Sequence, residues 1–178
     1  MNLFEVLSRE SQARQLPFLV IGGHAIIAHG YQRTTSDLDL LVRESDRTAW
    51  MELVKHISYG VVNDQEAFIQ FEPPSLVYWP LDLMLVDDNT FARMMSESME
   101  ITISHTQVRI PSAEHVIALK LHALKQGLQH RELGDLNDVI QLIDVAGIDT
   151  GSERFRQLCA KHGTVELYER IIRKRPLA

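Results

Sequence analysis

The sequence predicts an α+β protein, with a mixed strand-and-helix portion over residues 1–110 and a helical portion over 111–178. Three observations predict it. Within residues 18–42, an apolar run reaches Gly22-Gly23, passes a short helix-forming segment, and enters a second apolar run that carries Asp37 and Asp39. Between residues 60 and 110, short apolar runs are separated by turn-forming pairs such as Asn63-Asp64 and Pro73-Pro74. From Pro111 onward the apolar residues recur at helical spacing.

Each element follows from local pattern. Residues 2–15 read as an amphipathic helix with Leu3, Phe4, Val6 and Leu7 on its apolar face, closed before Pro17. Residues 18–21 form a buried strand, 24–29 a short helix ended by Gly30, and 36–42 the strand bearing the two aspartates. Glu44-Ser45-Asp46 starts a helix to about His56. Strands follow near 60–62, 67–71 and 81–86, with Asp87-Asp88 read as a turn. A helix near 89–96 and a strand pair within 100–110 complete the first portion. Pro111-Ser112 opens a helix over 113–128 with Ser112 as its N-cap; a second covers 133–145, and one or two more cover 152–174. No internal repeat or low-complexity linker separates the portions, which are expected to pack as one unit with a cleft between them.

The composition narrows the function classes. With 178 residues, 45% of them hydrophobic and 24% charged, the chain is long enough for one well-buried domain, or for a catalytic core with a helical appendage. No apolar run is as long as a membrane span, and MNLFEVLSRESQ has Glu and Ser where a signal peptide carries a basic start. A cytoplasmic protein with no membrane partner is expected. The single cysteine, Cys159, rules out an intrachain disulfide and a cysteine zinc cage, and reads as a small buried hydrophobe. Eight histidines are present without HExxH or comparable ligand spacing. The net charge of −6 argues against wholesale nonspecific nucleic-acid binding and fits an enzyme whose metal supplies the positive charge a triphosphate needs. Arg170, Arg173, Lys174 and Arg175 gather near the C-terminus. They read as a helix end favoured by the dipole, with an RNA-backbone contact as the alternative.

The chemistry centres on the diglycine and the aspartates. Glycines at a strand-to-helix turn let the backbone approach an anion, and the helix start offers free N–H groups. Alone, such a pair is more often just a turn. Asp37 and Asp39 follow it on one face of a strand, with Leu38 and Leu40 facing the core. Aspartate is depleted in strands, and a buried carboxylate without a partner is costly, so an apolar strand bearing two of them points to divalent metal ligands. The alternative is a solvated strand end, or pairing with Arg33. Asp82, inside the apolar run WPLDLMLV, is the expected third carboxylate, completing a second metal position or accepting the proton of an attacking hydroxyl. Together these residues suggest phosphoryl or nucleotidyl chemistry.

Further residues extend the candidate site. Lys120 lies in an apolar stripe with Val116, Ile117, Ala123 and Leu124. It either snorkels to the rim or directs its ammonium at triphosphate oxygens, and both readings stay open. Lys125 reads as exposed. Asp135 suits a helix start; Asp138, a turn further in on a helix whose Leu136, Val139, Ile140 and Ile143 are expected to face the core, would orient Lys120, Arg131 or a ribose. Arg33 and Thr34 would contact phosphate or brace an aspartate, and His24 would border the phosphate pocket.

GGHAIIAHGYQRTTSDLDLLV, LDLML, IPSAEHVIALKLHAL and RELGDLNDVIQLI together resemble the nucleotidyltransferase superfamily typified by DNA polymerase beta. Within it, over about residues 18–145, they look most like the minimal bacterial nucleotidyltransferases related to the AbiEii and MenT toxins of type IV toxin–antitoxin systems. The resemblance implies a mixed, twisted sheet flanked by helices, with Asp37, Asp39 and Asp82 as Mg2+ ligands. It implies that Lys120 contacts a nucleoside triphosphate such as ATP and that Asp138 supports the site; with Gly22, Gly23, His24, Arg33 and Thr34 they make the expected nucleotide-binding set, and Asp37, Asp39, Asp82 and Lys120 are the expected catalytic residues. His24 stands where many members have Ser. The expected reaction moves a nucleoside monophosphate to a hydroxyl of tRNA, a protein or a small molecule such as an aminoglycoside. A cognate antitoxin is an expected partner if the role is that of a toxin. The rival expectation is a noncatalytic nucleotide-binding protein of the same fold.

Overall fold

A computed structural model of the chain describes residues 2–127 and 132–174. Arg131 and Arg175, named above, lie outside the described residues, as does residue 128, where the first helix of the C-terminal portion was expected to end. The chain forms two compact units, one of Met1–Ala25 with Arg33–Ser112 and the other of Ile26–Gln32 with Ala113–Ala178.

The first unit starts with α1 (Leu3–Ala13), capped by the Asn2 side chain, which accepts a hydrogen bond from the Glu5 N–H at 2.9 Å. Its buried face is Leu3, Phe4, Leu7 and Ser11. Then come β1 (Leu19–Val20), α2 (Gly22–Ala28, whose last residues belong to the second unit) and β2 (Leu38–Arg43). A 3-10 turn at Glu44–Asp46 leads into α3 (Arg47–His56), which buries Trp50, Leu53 and Val54. The order continues with β3 (Gly60–Asp64), β4 (Phe68–Glu72), β5 (Leu81–Val86), α4 (Asp88–Ser96), β6 (Met99–Ile103) and β7 (Thr106–Ile110).

Five strands form a mixed sheet in the order β1-β2-β5-β4-β3, and β6 and β7 form a separate antiparallel pair. Only β2 and β5 run parallel; the other neighbours in the large sheet are antiparallel. A parallel pair needs a long crossover, and the segment holding α3, β3 and β4 supplies it. Leu38, Leu40 and Val42 of β2, Leu81, Leu83 and Leu85 of β5, and Ile69 and Phe71 of β4 are buried on one face. Each such side chain contributes about 1.5–3 kcal/mol of burial, which fixes the register, because a one-residue slip would exchange the faces. The opposite face then receives Asp39, Asp82 and Gln70.

Local expectations are corrected in four places. The aspartate strand begins at Leu38, so Asp37 stands in the bend leading into it. Asn63 and Asp64 are strand residues rather than turn material. The turn follows at 65–67, closed by the Gln65 N–H to Phe68 O bond at 2.9 Å, while Asp64 pairs with Arg47. Asp87 is not a loose turn residue: its carboxylate caps α4 by accepting from the Thr90 N–H at 3.0 Å, and hydrogen bonding from the Thr90 side chain first, then from that N–H, holds it below the usual carboxylate range. In the C-terminal helices, Leu142 is buried where Ile140 was expected to be; Ile140 is half-buried.

The second unit contains α5 (Ala113–Lys125), α6 (Glu132–Ala146), α7 (Glu153–His162) and α8 (Val165–Lys174). Val116, Ile117, Leu121, Leu136, Val139, Leu142, Ile143, Phe155, Cys159, Leu167 and Ile171 make its core. Ser152 caps α7 through the Phe155 N–H at 3.2 Å. Among the described residues, no helix is long and apolar enough to cross a membrane.

Candidate active site

The bend at Gly22-Gly23 is fastened to the aspartate strand by its backbone, the Ile21 N–H donating to Asp39 O at 2.9 Å. Gly22 has φ +59°, in the left-handed region that glycine adopts at low cost. A Cβ there would fall 1.8 Å from Asp39 Oδ2, and one on Gly23 would fall 2.3 Å from Thr35 Oγ1. Both glycines therefore make room for neighbouring polar side chains, which is a stronger requirement than a simple turn imposes.

Opposite this bend, Asp37, Asp39 and Asp82 each offer a carboxylate oxygen, and these oxygens lie within 4.8 Å of one another. Parallel register sets Asp39 beside Asp82. The bend before β2 lets Asp37 join them, and the Thr35 hydroxyl holds it, donating to Asp37 Oδ1 at 3.0 Å. Asp82 is buried and the other two are half-buried. Unit charges at that spacing repel by roughly 3 kcal/mol per pair at an effective dielectric of about 20. A divalent cation relieves that repulsion, and a set of hard carboxylate oxygens suits Mg2+, Mn2+ or Ca2+ rather than a soft metal. The donor set thus fits the metal that the sequence motif implies.

Polar groups flank the cluster on the sheet. Gln70 pairs with Asp82 in register and donates from Nε2 to Asp82 Oδ2 at 3.4 Å. Asn63, the partner of Gln70 on β3, donates from Nδ2 to Gln70 Oε1 at 3.4 Å.

His24 follows the diglycine and is buried, with 8% of its surface exposed. Its ring packs edge-on to Phe4, at 5.1 Å between centroids, and lies 4.7 Å from Trp79. Burial pushes the imidazole below its ordinary pKa, while the Asp37 charge pulls it the other way. Among the described residues, Nε2 has no hydrogen-bond partner. Arg33 turns back along the chain and donates from Nε to Thr34 O at 3.0 Å, and Thr34 itself is exposed. The hydroxyl that braces an aspartate here is that of Thr35.

In the second unit Lys120 is held between two carboxylates. Its ammonium lies 2.6 Å from Asp135 Oδ1 and 3.0 Å from Asp138 Oδ2, and all three side chains are largely buried. A free snorkelling lysine is not what the structure contains. Asp135, read from the sequence as favouring a helix start, is a full partner of Lys120. Lys125 is exposed, as expected.

Four residues of these clusters, Thr35, Gln70, Asn63 and Asp135, were missed or underweighted in the sequence. Gln70 left a signal: between Ile69 and Phe71 it is a polar residue inside an apolar strand, and so turns away from the face those two bury. Thr35 lies two residues from Asp37, a spacing at which side-chain hydroxyls commonly bond locally.

No protein-family model matches the chain, and no curated protein does. Solved structures do. ANT(2″)-Ia in complex with adenylyl-2″-tobramycin superposes with a TM-score of 0.67 at 18% identity, covering 90% of this chain and 94% of that one. A nucleotidyltransferase-like antigenic protein from Paracoccidioides brasiliensis gives 0.61 at 16% identity, over 98% of this chain and 87% of that one. The lincosamide antibiotic adenylyltransferase LnuA, bound to lincomycin, gives 0.57 at 16% identity, over 80% and 95%. At these identities the likeness is one of fold: a mixed sheet flanked by helices, as in the nucleotidyltransferases.

Proposed function

We propose that this protein is a Mg2+-dependent nucleotidyltransferase that moves a nucleoside monophosphate from a nucleoside triphosphate to an acceptor hydroxyl, releasing pyrophosphate. The observation that carries the reading is the convergence of Asp37, Asp39 and Asp82 beside a bend that only glycine fits. The fold shared with adenylyltransferases supports it.

In this reading Asp37, Asp39 and Asp82 hold the metal. Held by these carboxylates, Mg2+ would supply the positive charge that offsets the phosphate oxygens. Asp82, the most buried of the three, is also the group that draws the proton from the acceptor hydroxyl. Gly22 and Gly23 present backbone to the triphosphate, with His24, Arg33 and Thr34 at its border. Lys120 neutralises phosphate charge, and Asp138 keeps its ammonium oriented. Most of the rate enhancement then comes from positioning and fixed charge rather than from covalent participation.

The acceptor class follows from one experiment. The protein is incubated with Mg2+ and each labelled nucleoside triphosphate in turn, with tRNA, cell-extract protein, or aminoglycosides and lincosamides as acceptors, beside Asp39→Ala. Label moving to one acceptor class, and lost in Asp39→Ala, establishes the reaction and names the acceptor. Transfer to tRNA together with growth arrest on expression supports the toxin role and a cognate antitoxin. Absence of transfer to every acceptor, with nucleotide binding indifferent to Asp39→Ala, overturns catalysis in favour of a binding protein.

A further inference from the structure

We propose that Gln70 is a positioning residue for Asp82, and that Asn63 acts through Gln70; this rests on the reading that the three aspartates hold a divalent cation. The register pairs Asn63 with Gln70, Gln70 with Asp82, and Asp82 with Asp39, so the four residues form one row across β3, β4, β5 and β2. Side-chain bonds of 3.4 Å link Asn63 to Gln70 and Gln70 to Asp82.

The chemistry gives the row a direction. An ionised carboxylate only accepts hydrogen bonds, so Gln70 must turn its NH2 to Asp82. That leaves the Gln70 carbonyl facing Asn63, which must then present its own NH2. The orientation of both amides is therefore set from the aspartate end. An amide also suits the task better than a cation. An arginine or lysine at position 70 would neutralise Asp82 and compete with the metal for it. The amide holds the carboxylate while leaving its full charge available, as partners of metal ligands commonly do. Lys120 between Asp135 and Asp138 shows the opposite arrangement, in which a cation answers the carboxylate charge directly. Asp82 is only 7% exposed, so water alone has little access to orient it.

The test uses the full chain without nucleotide and reads Mn2+ affinity by calorimetry. Wild type is expected to bind Mn2+ and Asp82→Asn to bind it much more weakly. Gln70→Met should retain its circular dichroism and lose about 10-fold in affinity, the lower end of what partners of metal ligands contribute. Asn63→Ala should shift affinity the same way by less, and the double variant should match Gln70→Met alone, because Asn63 acts only through Gln70. If Gln70→Met does not fold, Asn63→Ala, at a half-buried position, carries the test. Wild-type affinity in Gln70→Met, or in Asn63→Ala where that variant carries the test, overturns the proposal while leaving the metal site standing. An equal loss on adding Asn63→Ala to either background overturns the role of Asn63. No Mn2+ binding by wild type, or none lost in Asp82→Asn, overturns the metal reading and this inference with it.

Discussion

Gly22 faces Asp39 with no space for a side chain between them. A Cβ on Gly22 would fall 1.8 Å from Asp39 Oδ2 and 2.6 Å from its Cγ, and the residue has φ +59°. Gly22→Ala therefore incurs two costs: roughly 1–2 kcal/mol for the left-handed backbone, and displacement of the carboxylate. The expected result is a folded protein with a melting temperature lower by several degrees and Mn2+ affinity reduced ~10-fold or more. Thermal melts and metal titration check it. Wild-type affinity in this variant would mean that the bend does not set the position of Asp39.

Thr35 relates to Asp37 as Gly22 does to Asp39, but through a bond rather than a vacancy. Its hydroxyl donates to Asp37 Oδ1 at 3.0 Å, and Gly23 leaves room for it. Thr35→Val keeps the shape and removes the donor, and should lower transfer activity about 10-fold at a stability cost of ~1 kcal/mol. Thr35→Ser keeps the donor and should recover most of the activity. Equal activity in the Val and Ser variants would show that the hydroxyl does not matter.

Much of this was legible before the fold. Strand alternation put Asp39 opposite Leu38 and Leu40, and an aspartate in the apolar run LDLML marked Asp82; Asp37 joins them from the bend before the strand, which alternation does not describe. Periodicity could not supply strand pairing. That Gln70 stands beside Asp82, and Asn63 beside Gln70, depends on a register that only the folded sheet fixes. Nor could the spacing within α6 tell whether Asp135 or Asp138 meets Lys120, since both lie on the same side of the helix and both do. Asn63-Asp64 was misread for a physical reason: the pair is typical of turns, but here its side chains are answered by Gln70 on β4 and by Arg47 at the start of α3.

His24 carries a pH signature. Burial holds its pKa below the ordinary 6.5, the Asp37 charge only partly opposing this. As pH falls through that ordinary value the unfolded chain takes up a proton that the folded protein does not, so stability drops. The drop begins near pH 7 and levels off once the pH is below the folded pKa as well. His24→Phe, which keeps a ring against Phe4 and Trp79, should show a smaller fall in urea midpoint between pH 7.5 and 5.5 than wild type. Parallel profiles in the two proteins would remove His24 as the source.

Lys120 supplies the test of how a buried charge cluster is balanced. Asp135 and Asp138 both face its ammonium, at 2.6 and 3.0 Å, and all three side chains are at most 12% exposed. Lys120→Met removes the cation and leaves two carboxylates close together, so it should cost about 3–5 kcal/mol. Adding Asp135→Asn to that variant removes one of the stranded charges and should restore part of the loss, so that the two changes are far from additive. Urea unfolding of the four proteins in the cycle measures the coupling. Nucleotide binding then separates the roles of the lysine. If Lys120 meets the triphosphate, the double variant, though restabilised, remains weak in binding. If Lys120 serves only to balance the two aspartates, binding returns with stability.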